Sequence, residues 1–522
     1  MRFLWVDNYS GSDKLGNEMS ENRPMNLPDV RTALRDRHCG SVRLQFLCSL
    51  CAACLFLCSC PGSNQTTKII SGGPSVQVVE TTGDRAMLLQ QQPNISFATG
   101  GSSSSLIITV DSATQYQQMD GFGGSLTDSS AWLIWNKLTA SQQTSLMQQL
   151  FSPTAGIGIS FLRQPMGASD FSASGNYSYD DMPSGQTDPN LANFSVAHDS
   201  AYIIPLIKQA LSVNPGIKVV ALPWSPPAWM KSSGTMNGGS MNTSYFSSLA
   251  QYFVDYTQAY QQQGIPIYAI SVQNEPLYST SGYPSEYLAA SDESAFIASN
   301  LGPAMSNAGL GSVKIFGYEH NWDNTAYPES VLGSSAAQYV AGSSFHCYAG
   351  DPSAQSTVET AFPTKDIWFT ECSGITSSTF AGDLVWNAEH LLIGATRNWA
   401  RSISLWNLAL DQNSGPKNGT CSNCRGVATI DDSASPANVT FNVEYYILGH
   451  LGKFVLPGAH RIDSNTFGAG SIEDVAFQNA DGSVVLLVLN SASSTGTFTV
   501  TYKGESFNYT LPAGAVATFE WK

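Results

Sequence analysis

The chain has 522 residues, 42% hydrophobic and only 12% charged, which is long enough for two to four domains and apolar enough for a sizeable core. Its 24 Lys and Arg against 40 Asp and Glu leave a net charge of −16. That excludes nucleic acid, which is bound through clustered positive charge, and disfavours an anionic membrane surface, though not a neutral lipid or glycan. Aromatic residues reach 11%, a profile common in proteins that stack neutral sugar rings on aromatic faces, although most such side chains are core.

Six of the ten cysteines lie between Cys39 and Cys60, in and beside an apolar run from Leu44 to Leu57 that follows Arg35, Arg37 and Arg43. A basic flank and a run of this length match the h-region of an export signal and are short for a membrane span. The run ends Leu57-Cys58-Ser59-Cys60, which resembles a bacterial lipoprotein box with cleavage before a lipidated Cys60. A plain cleaved signal and an uncleaved anchor are the alternatives. The region ahead of the run is long for a signal, so translation starting at Met25 is a further option. The expectation is an exported protein, either a cell-envelope lipoprotein attached to the membrane through Cys60 or a secreted one.

Residues 61–105 are rich in Ser, Gly, Thr and Gln and read as a polar tether, with one strand at Val76–Glu80. A clear strand follows at Leu106–Val110. From Met119 to Leu410, short apolar runs alternate with longer helical segments, the pattern of a parallel α/β architecture. Eight such runs end near Gly121-Phe122-Gly123, Phe161-Leu162-Arg163, Val220-Ala221-Leu222, Ile270-Ser271-Val272, Ile315-Phe316-Gly317, Ser344-Phe345-His346, Trp368-Phe369-Thr370 and Ser404-Leu405-Trp406. Thr139–Phe151, Ser200–Leu211, Ser244–Tyr260, Ser285–Leu301 and Leu384–Ala400 carry apolar residues at helical spacing. The expected fold is therefore α/β, a (β/α)8 TIM barrel over residues 106–444 with its preceding strand. Beyond Tyr445, short β-rich segments separated by Gly, Ser and Asn predict a small antiparallel β-sandwich over 445–522. Strands ahead of the barrel would join it.

In a barrel enzyme the chemistry sits at the C-terminal ends of the strands. Run four continues into Gln273-Asn274-Glu275-Pro276, and run seven into Thr370-Glu371-Cys372-Ser373-Gly374. A carboxylate straight after a buried strand costs desolvation energy unless it is used or paired. One such Glu is often a salt-bridged or capping residue; two, on strands four and seven of one barrel, point to a carboxylate pair. Two carboxylates about 5 Å apart suit a retaining glycosidase, with one protonated to release the leaving oxygen and the other ionised to attack the anomeric carbon. Glu275 is expected to be the general acid/base and Glu371 the nucleophile. Asn274 is expected to reach the sugar 2-hydroxyl.

Six segments in order, GFGGSLTDSSA (Gly121–Ala131), FLRQPMGASDFS (Phe161–Ser172), LPWSPPAWMK (Leu222–Lys231), NEP (Asn274–Pro276), TECSG, and WNLALD (Trp406–Asp411), resemble glycoside hydrolase family 30, which includes the glucosylceramidases. The resemblance runs from about Met119 to the C-terminus. It implies that Asp128 binds sugar hydroxyls, that Trp224 walls the same subsite and that Trp406 forms its floor. It also implies that Arg163 lies beneath Glu371 and that His346 and Tyr348 support the carboxylates. One departure is the segment KNGTCSNCRGVATID after Trp406. In an exported protein a Cys421–Cys424 disulfide is expected there rather than zinc, because a single Cys-x-x-Cys lacks a second ligand pair. Cys347 and Cys372 are either bridged or free.

The leading expectation is a glucosylceramidase-like hydrolase of β-linked glucosides. Endo-β-1,6-glucanase and β-1,6-galactanase are the alternatives, and a non-catalytic glycan-binding barrel or a transglycosylase stands further off. The expected partner is a glycan or glycolipid. No metal or organic cofactor is implied, since two carboxylates suffice.

Overall fold

A computed structural model of the chain describes residues 73–99, 104–419 and 421–522. The Arg-flanked apolar run, the Cys60 box and residues 61–72 of the expected tether lie outside the described residues.

Three strands come first: β1 (Ser75–Thr81), β2 (Gln90–Ser96) and β3 (Ile107–Gln118). The barrel strands are β4 (Gly121–Ser125), β5 (Phe161–Pro165), β6 (Lys218–Leu222), β7 (Ile267–Ser271), β8 (Lys314–Asn321), β9 (Val340–His346) and β10 (Asp366–Glu371). After the two-residue β11 (Gly374–Ile375) the last of them is β12 (Ala400–Leu405). They close in the order β10-β12-β4-β5-β6-β7-β8-β9, and every expected run is one of these strands or its end. Four short strands elaborate the final barrel loop: β13 (Ala409–Asp411), β14 (Cys424–Arg425), β15 (Ala428–Asp431) and β16 (Asn438–Phe441). The chain finishes with β17 (His460–Ser464), β18 (Ile472–Gln478), β19 (Val484–Asn490), β20 (Gly496–Tyr502), β21 (Glu505–Leu511) and β22 (Val516–Trp521).

The barrel interior is built in layers, because side chains two apart on a strand point the same way. Phe161, Val220, Ala269, Phe316 and Trp368 form the lower layer, with the Phe316 and Trp368 rings stacked at 3.8 Å. Beneath them Asp120 accepts hydrogen bonds from Trp368 Nε1 at 2.7 Å and Tyr268 OH at 2.8 Å, and pairs with Lys218 and Arg401. Two residues further along the same strands come Arg163, Ser271 and Thr370, so the upper layer is polar and faces the mouth. A register shift on β8 between Tyr318 and His320 turns Glu319 inward, with Glu319 at φ 60°.

The satellite sheet runs β2-β1-β22-β19-β18-β17-β3-β20-β21, antiparallel except for the β3–β20 pair, and Ala98 bridges Ser506 between its two ends. The unbroken apolar run of β19 follows from burial on both faces. Val484, Leu486 and Val488 enter the sandwich core, while Val485, Leu487 and Leu489 pack on the barrel side. His450 sits at this junction, 2.9 Å from Thr518 Oγ1 and 2.8 Å from Thr81 Oγ1.

Two expected boundaries move. Within 73–99 the tether contains β1, the strand expected at Val76–Glu80, and also an unexpected β2, both in the satellite sheet; β2, Gln-Gln-Gln-Pro-Asn-Ile-Ser, is an edge strand with an exposed face and so carries no apolar signal. At the other end, Tyr445 falls inside a helix, Val443–Gly452, whose Ile447, Leu448 and Leu451 belong to the barrel core. The first sandwich strand after it is β17.

Candidate active site

Glu371 ends β10 and is 5% exposed. Its Oε2 accepts from Arg163 Nη1 at 2.6 Å and its Oε1 from the Tyr348 hydroxyl at 2.8 Å. Glu275 follows β7 with φ 48°, a left-handed conformation costly for a residue with a side chain. Its backbone N–H donates to the Glu319 carbonyl at 3.0 Å, which ties the loop to β8. One carboxylate oxygen of Glu275, one of Glu371 and one ring nitrogen of His346 all lie within 4.8 Å of one another. That spacing suits the roughly 5–5.5 Å of a retaining carboxylate pair and falls short of the roughly 6.5–9.5 Å of an inverting pair.

Arg163 organises this upper layer from β5. Fully buried, it also donates through Nη2 to Asn274 Oδ1 at 2.7 Å and approaches Glu319 at 3.4 Å. With Asn274 Oδ1 so occupied, its amide NH2 is the group it can offer a sugar hydroxyl. The Arg163 guanidinium also stands 4.9 Å from the Trp224 ring and 5.4 Å from the Trp406 ring. Those two indoles stack on each other at 4.8 Å and 20°. At most one face of each is therefore left to meet a sugar, which narrows the wall-and-floor arrangement expected of them.

His346, at the end of β9, has a carboxylate at each ring nitrogen: Glu275 Oε1 at 3.4 Å from Nδ1 and Glu319 Oε2 at 3.1 Å from Nε2. Burial pushes its pKa down, but the Glu371 charge and the contacts with Glu275 and Glu319 raise it to about 9. Burial pushes Glu275 up while His346, His320 and Arg163 pull it down, for a net lowering. These two directions describe one proton placed on the imidazole. Geometry allows the other placement: Nε2–H donating to Glu319 and the Glu275 hydroxyl donating to Nδ1. Glu319 is ionised in both. Burial alone would raise it, but Arg163, His346 and the Ser271 hydroxyl hold it at about 2, and Thr370 donates to it as well, at 2.7 Å. Glu319 thus fixes which ring nitrogen faces Glu275.

Asp128 opens the first helix of the barrel and is tied to the loop after β5. Its carboxylate accepts from Ala173 N at 2.6 Å, Ser174 N at 3.3 Å, Ser172 Oγ at 3.3 Å and Tyr202 OH at 2.5 Å. Two of these bonds hold the loop after β5; the Ser172 hydroxyl also donates to the Gly175 carbonyl at 2.7 Å, and Oδ2, which takes the Tyr202 hydroxyl, retains acceptor capacity that a sugar hydroxyl could use. The acidic residue of that loop bearing on the site is Asp170, whose charge acts on the phenols of both Tyr283 and Tyr348. Asp170 lies seven residues after Arg163 in the FLRQPMGASDFS segment. Phe171, beside it, packs edge-on to Trp406. Glu319 was also missed, although it stands just after the apolar run ending Ile315-Phe316-Gly317, at the bulge of β8.

Among the described residues there are two disulfides. Cys347–Cys372 joins the segments just beyond β9 and β10, so the strand ends bearing His346 and Glu371 are covalently tied. Cys421–Cys424 closes the hairpin of the last loop, and its Cys424 packs with Trp224 and Trp406.

A family model described as the glycosyl hydrolase family 30 TIM-barrel domain matches residues 119–455, and one described as that family's beta sandwich domain matches residues 458–519. An endo-1,6-beta-D-glucanase of Neurospora crassa is 36% identical over 439 residues, covering 81% of this chain and 89% of that protein. Lysosomal acid glucosylceramidase of Mus musculus is 30% identical over 451 residues, covering 80% of this chain and 84% of its own. A solved structure of an endo-beta1,6-glucanase superposes with a TM-score of 0.79 at 32% identity, covering 86% of this chain and 99% of that one.

Proposed function

The chain belongs to glycosyl hydrolase family 30 and is a β-glycosidase; from that premise we propose that it is an endo-β-1,6-glucanase working by double displacement. This replaces the glucosylceramidase-like preference drawn from sequence motifs, because the glucanase relatives match at higher identity than the glucosylceramidase. The observation that carries the mechanism is the close approach of Glu275 and Glu371.

In this mechanism Glu371 attacks the anomeric carbon. Arg163 and Tyr348 donate to its two oxygens and orient it for attack. Glu275 holds the proton of the shared Glu275–His346 position and passes it to the leaving oxygen. As the carboxylate forms, the Arg163 guanidinium supplies the nearby positive charge that stabilises it. Water then enters on the vacated side, Glu275 takes its proton, and the Glu371 ester is cleaved with overall retention. Asn274 donates to the 2-hydroxyl, and Asp128 accepts from sugar hydroxyls through its remaining acceptor capacity.

Purified protein lacking residues 1–60 should release a ladder of oligosaccharides from β-1,6-glucan and leave glucosylceramide untouched. Glucose alone from the polymer would mean exo action, and ceramide release would restore the glycolipid reading. Export, with or without lipid on Cys60, belongs to the same proposal, since a polymeric glucan is met outside the cell and disulfides persist in oxidising compartments. Fractionation should find the protein in the envelope or medium, and Cys60→Ser should release it from membranes only if Cys60 is lipidated. Full-length protein in the cytosol would contradict export.

A further inference from the structure

A cavity of about 650 Å³ lies where the satellite sheet meets the last barrel loop, and neither glutamate nor either indole lines it. The turn between β1 and β2 supplies Arg85, the helix starting at Phe380 supplies that ring, β13 supplies Asp411, and the helix Val443–Gly452 supplies Tyr446. Ligand sites favour such junctions, and volumes from a few hundred to about a thousand Å³ are typical of them.

The turn is built to hold its shape. Arg85 has φ 64°, a left-handed conformation disfavoured for a residue with a side chain. The Thr82 hydroxyl donates to Asp84 Oδ1 at 2.5 Å and accepts from Met87 N at 3.1 Å. A Cβ on Gly83 would come within 2.8 Å of the Ala381 Cβ, so the turn sits directly on the helix that carries Phe380. The Arg85 guanidinium stands 4.8 Å from the Phe380 ring, which packs edge-on to Tyr446 at 5.8 Å. Arg85 is exposed and both rings are partly so.

The charges of the lining give no preference for an ion. Arg425 is paired with Glu444 and Asp383 inside the wall. Of the other lining side chains only Arg85 and Asp411 are charged, with opposite sign. Asp411 Oδ1 accepts from Asn413 N at 2.7 Å and Gly415 N at 2.8 Å, which leaves Oδ2 to accept from a ligand. Thr376 and Thr440 add hydroxyls that can donate or accept. Partly exposed rings among balanced polar groups suit the C–H faces and hydroxyls of an uncharged sugar. Leu410 and Cys424 line the cavity and also pack with Trp224 and Trp406, so it backs onto the catalytic cleft.

We propose that this cavity is a second glycan-binding site, which takes a stretch of uncleaved glucan chain and holds the enzyme on its polymer between cuts. The ligand class rests on the β-1,6-glucan reading.

The test uses full-length protein, with Glu371→Gln as a background that binds without cleaving, and electrophoresis through gels containing soluble β-1,6-glucan. Arg85→Gly keeps the turn, since glycine adopts φ 64° freely, and Tyr446→Phe keeps the ring that Tyr446→Ala removes. In the Glu371→Gln background, Arg85→Gly and Tyr446→Ala should each raise the glucan concentration for half-retardation about three- to tenfold, the scale of one lost contact; Tyr446→Phe should not. In otherwise wild-type protein the same substitutions should raise KM on the polymer but leave kcat and KM on a β-1,6-linked glucotetraose within about twofold. Equal retardation of background and variants, with wild type cleaving the tetraose, would overturn the cavity site and leave the substrate reading standing. Parallel losses on tetraose and polymer would assign both residues to the catalytic cleft and also overturn it. Wild type that leaves tetraose and polymer intact would overturn the substrate reading and the glucan ligand with it.

Discussion

Arg163 Nη1 meets Glu371 Oε2 at 2.6 Å, and neither side chain has appreciable contact with solvent. A buried carboxylate keeps its charge only beside a partner, and stripping that partner costs about 3–5 kcal/mol. Arg163→Ala should therefore lower the melting temperature markedly as well as abolish activity. Arg163→Lys keeps the charge but cannot fork between Glu371 and Asn274. It should remain folded while kcat/KM falls about a hundredfold, some 2.7 kcal/mol of transition-state stabilisation. Near wild-type turnover in Arg163→Lys would mean that Asn274 needs no such support.

Glu319 controls the proton on the Glu275–His346 pair through its contact with Nε2. Removing a neighbouring negative charge makes that proton easier to lose, wherever on the pair it resides. Glu319→Gln should thus move the alkaline limb of the kcat/KM profile to lower pH and reduce the maximum at least tenfold, by the scale typical of a lost outer-shell partner. Glu319→Asp should recover part of both. An unmoved alkaline limb would assign Glu319 to packing alone.

Asp128→Ala frees the backbone N–H groups of Ala173 and Ser174 and the Tyr202 hydroxyl, and should cost roughly 1–3 kcal/mol of stability. Thermal melts read this directly. Asp128→Ala should also depress kcat/KM on oligosaccharides, because the same carboxylate accepts from sugar hydroxyls. Unchanged kcat/KM in the folded variant would confine Asp128 to holding the loop.

The barrel was legible because its strands are buried on both faces and read as apolar runs between helical segments, and the two glutamates because each breaks such a run at its end. Glu319 obeys the same logic but follows a bulge, where inward and outward positions exchange, so alternation pointed elsewhere. Asp128 and Asp170 both follow strand ends in recognisable segments; how each bears on the site depends on how the loop after β5 folds back onto the first helix, Asp128–Lys137, a long-range fact. β2 was hidden because an edge strand needs no apolar alternation to pair.

His450 is fully buried between Thr81 and Thr518, and burial pulls its pKa down to about 3. The unfolded chain takes up a proton near pH 6.5 that the folded chain refuses until about pH 3. Its contribution is therefore intact above pH 6.5 and declines as pH falls toward 3, by about 1.4 kcal/mol per pH unit. His450→Gln should be less stable at neutral pH but flatten this part of the stability curve. An equal slope in variant and wild type would place the acid sensitivity elsewhere.

The central claim is that Glu371 attacks carbon directly while Glu275 manages the proton. A slowly turned-over 2-fluoro-β-glucoside or its β-1,6-linked disaccharide, followed by peptide mapping, tests it most directly. The account predicts one covalent glycosyl adduct, located on Glu371, with the first-formed hydrolysis product retaining the β configuration. An adduct on another carboxylate, or a first product of inverted configuration, would contradict it.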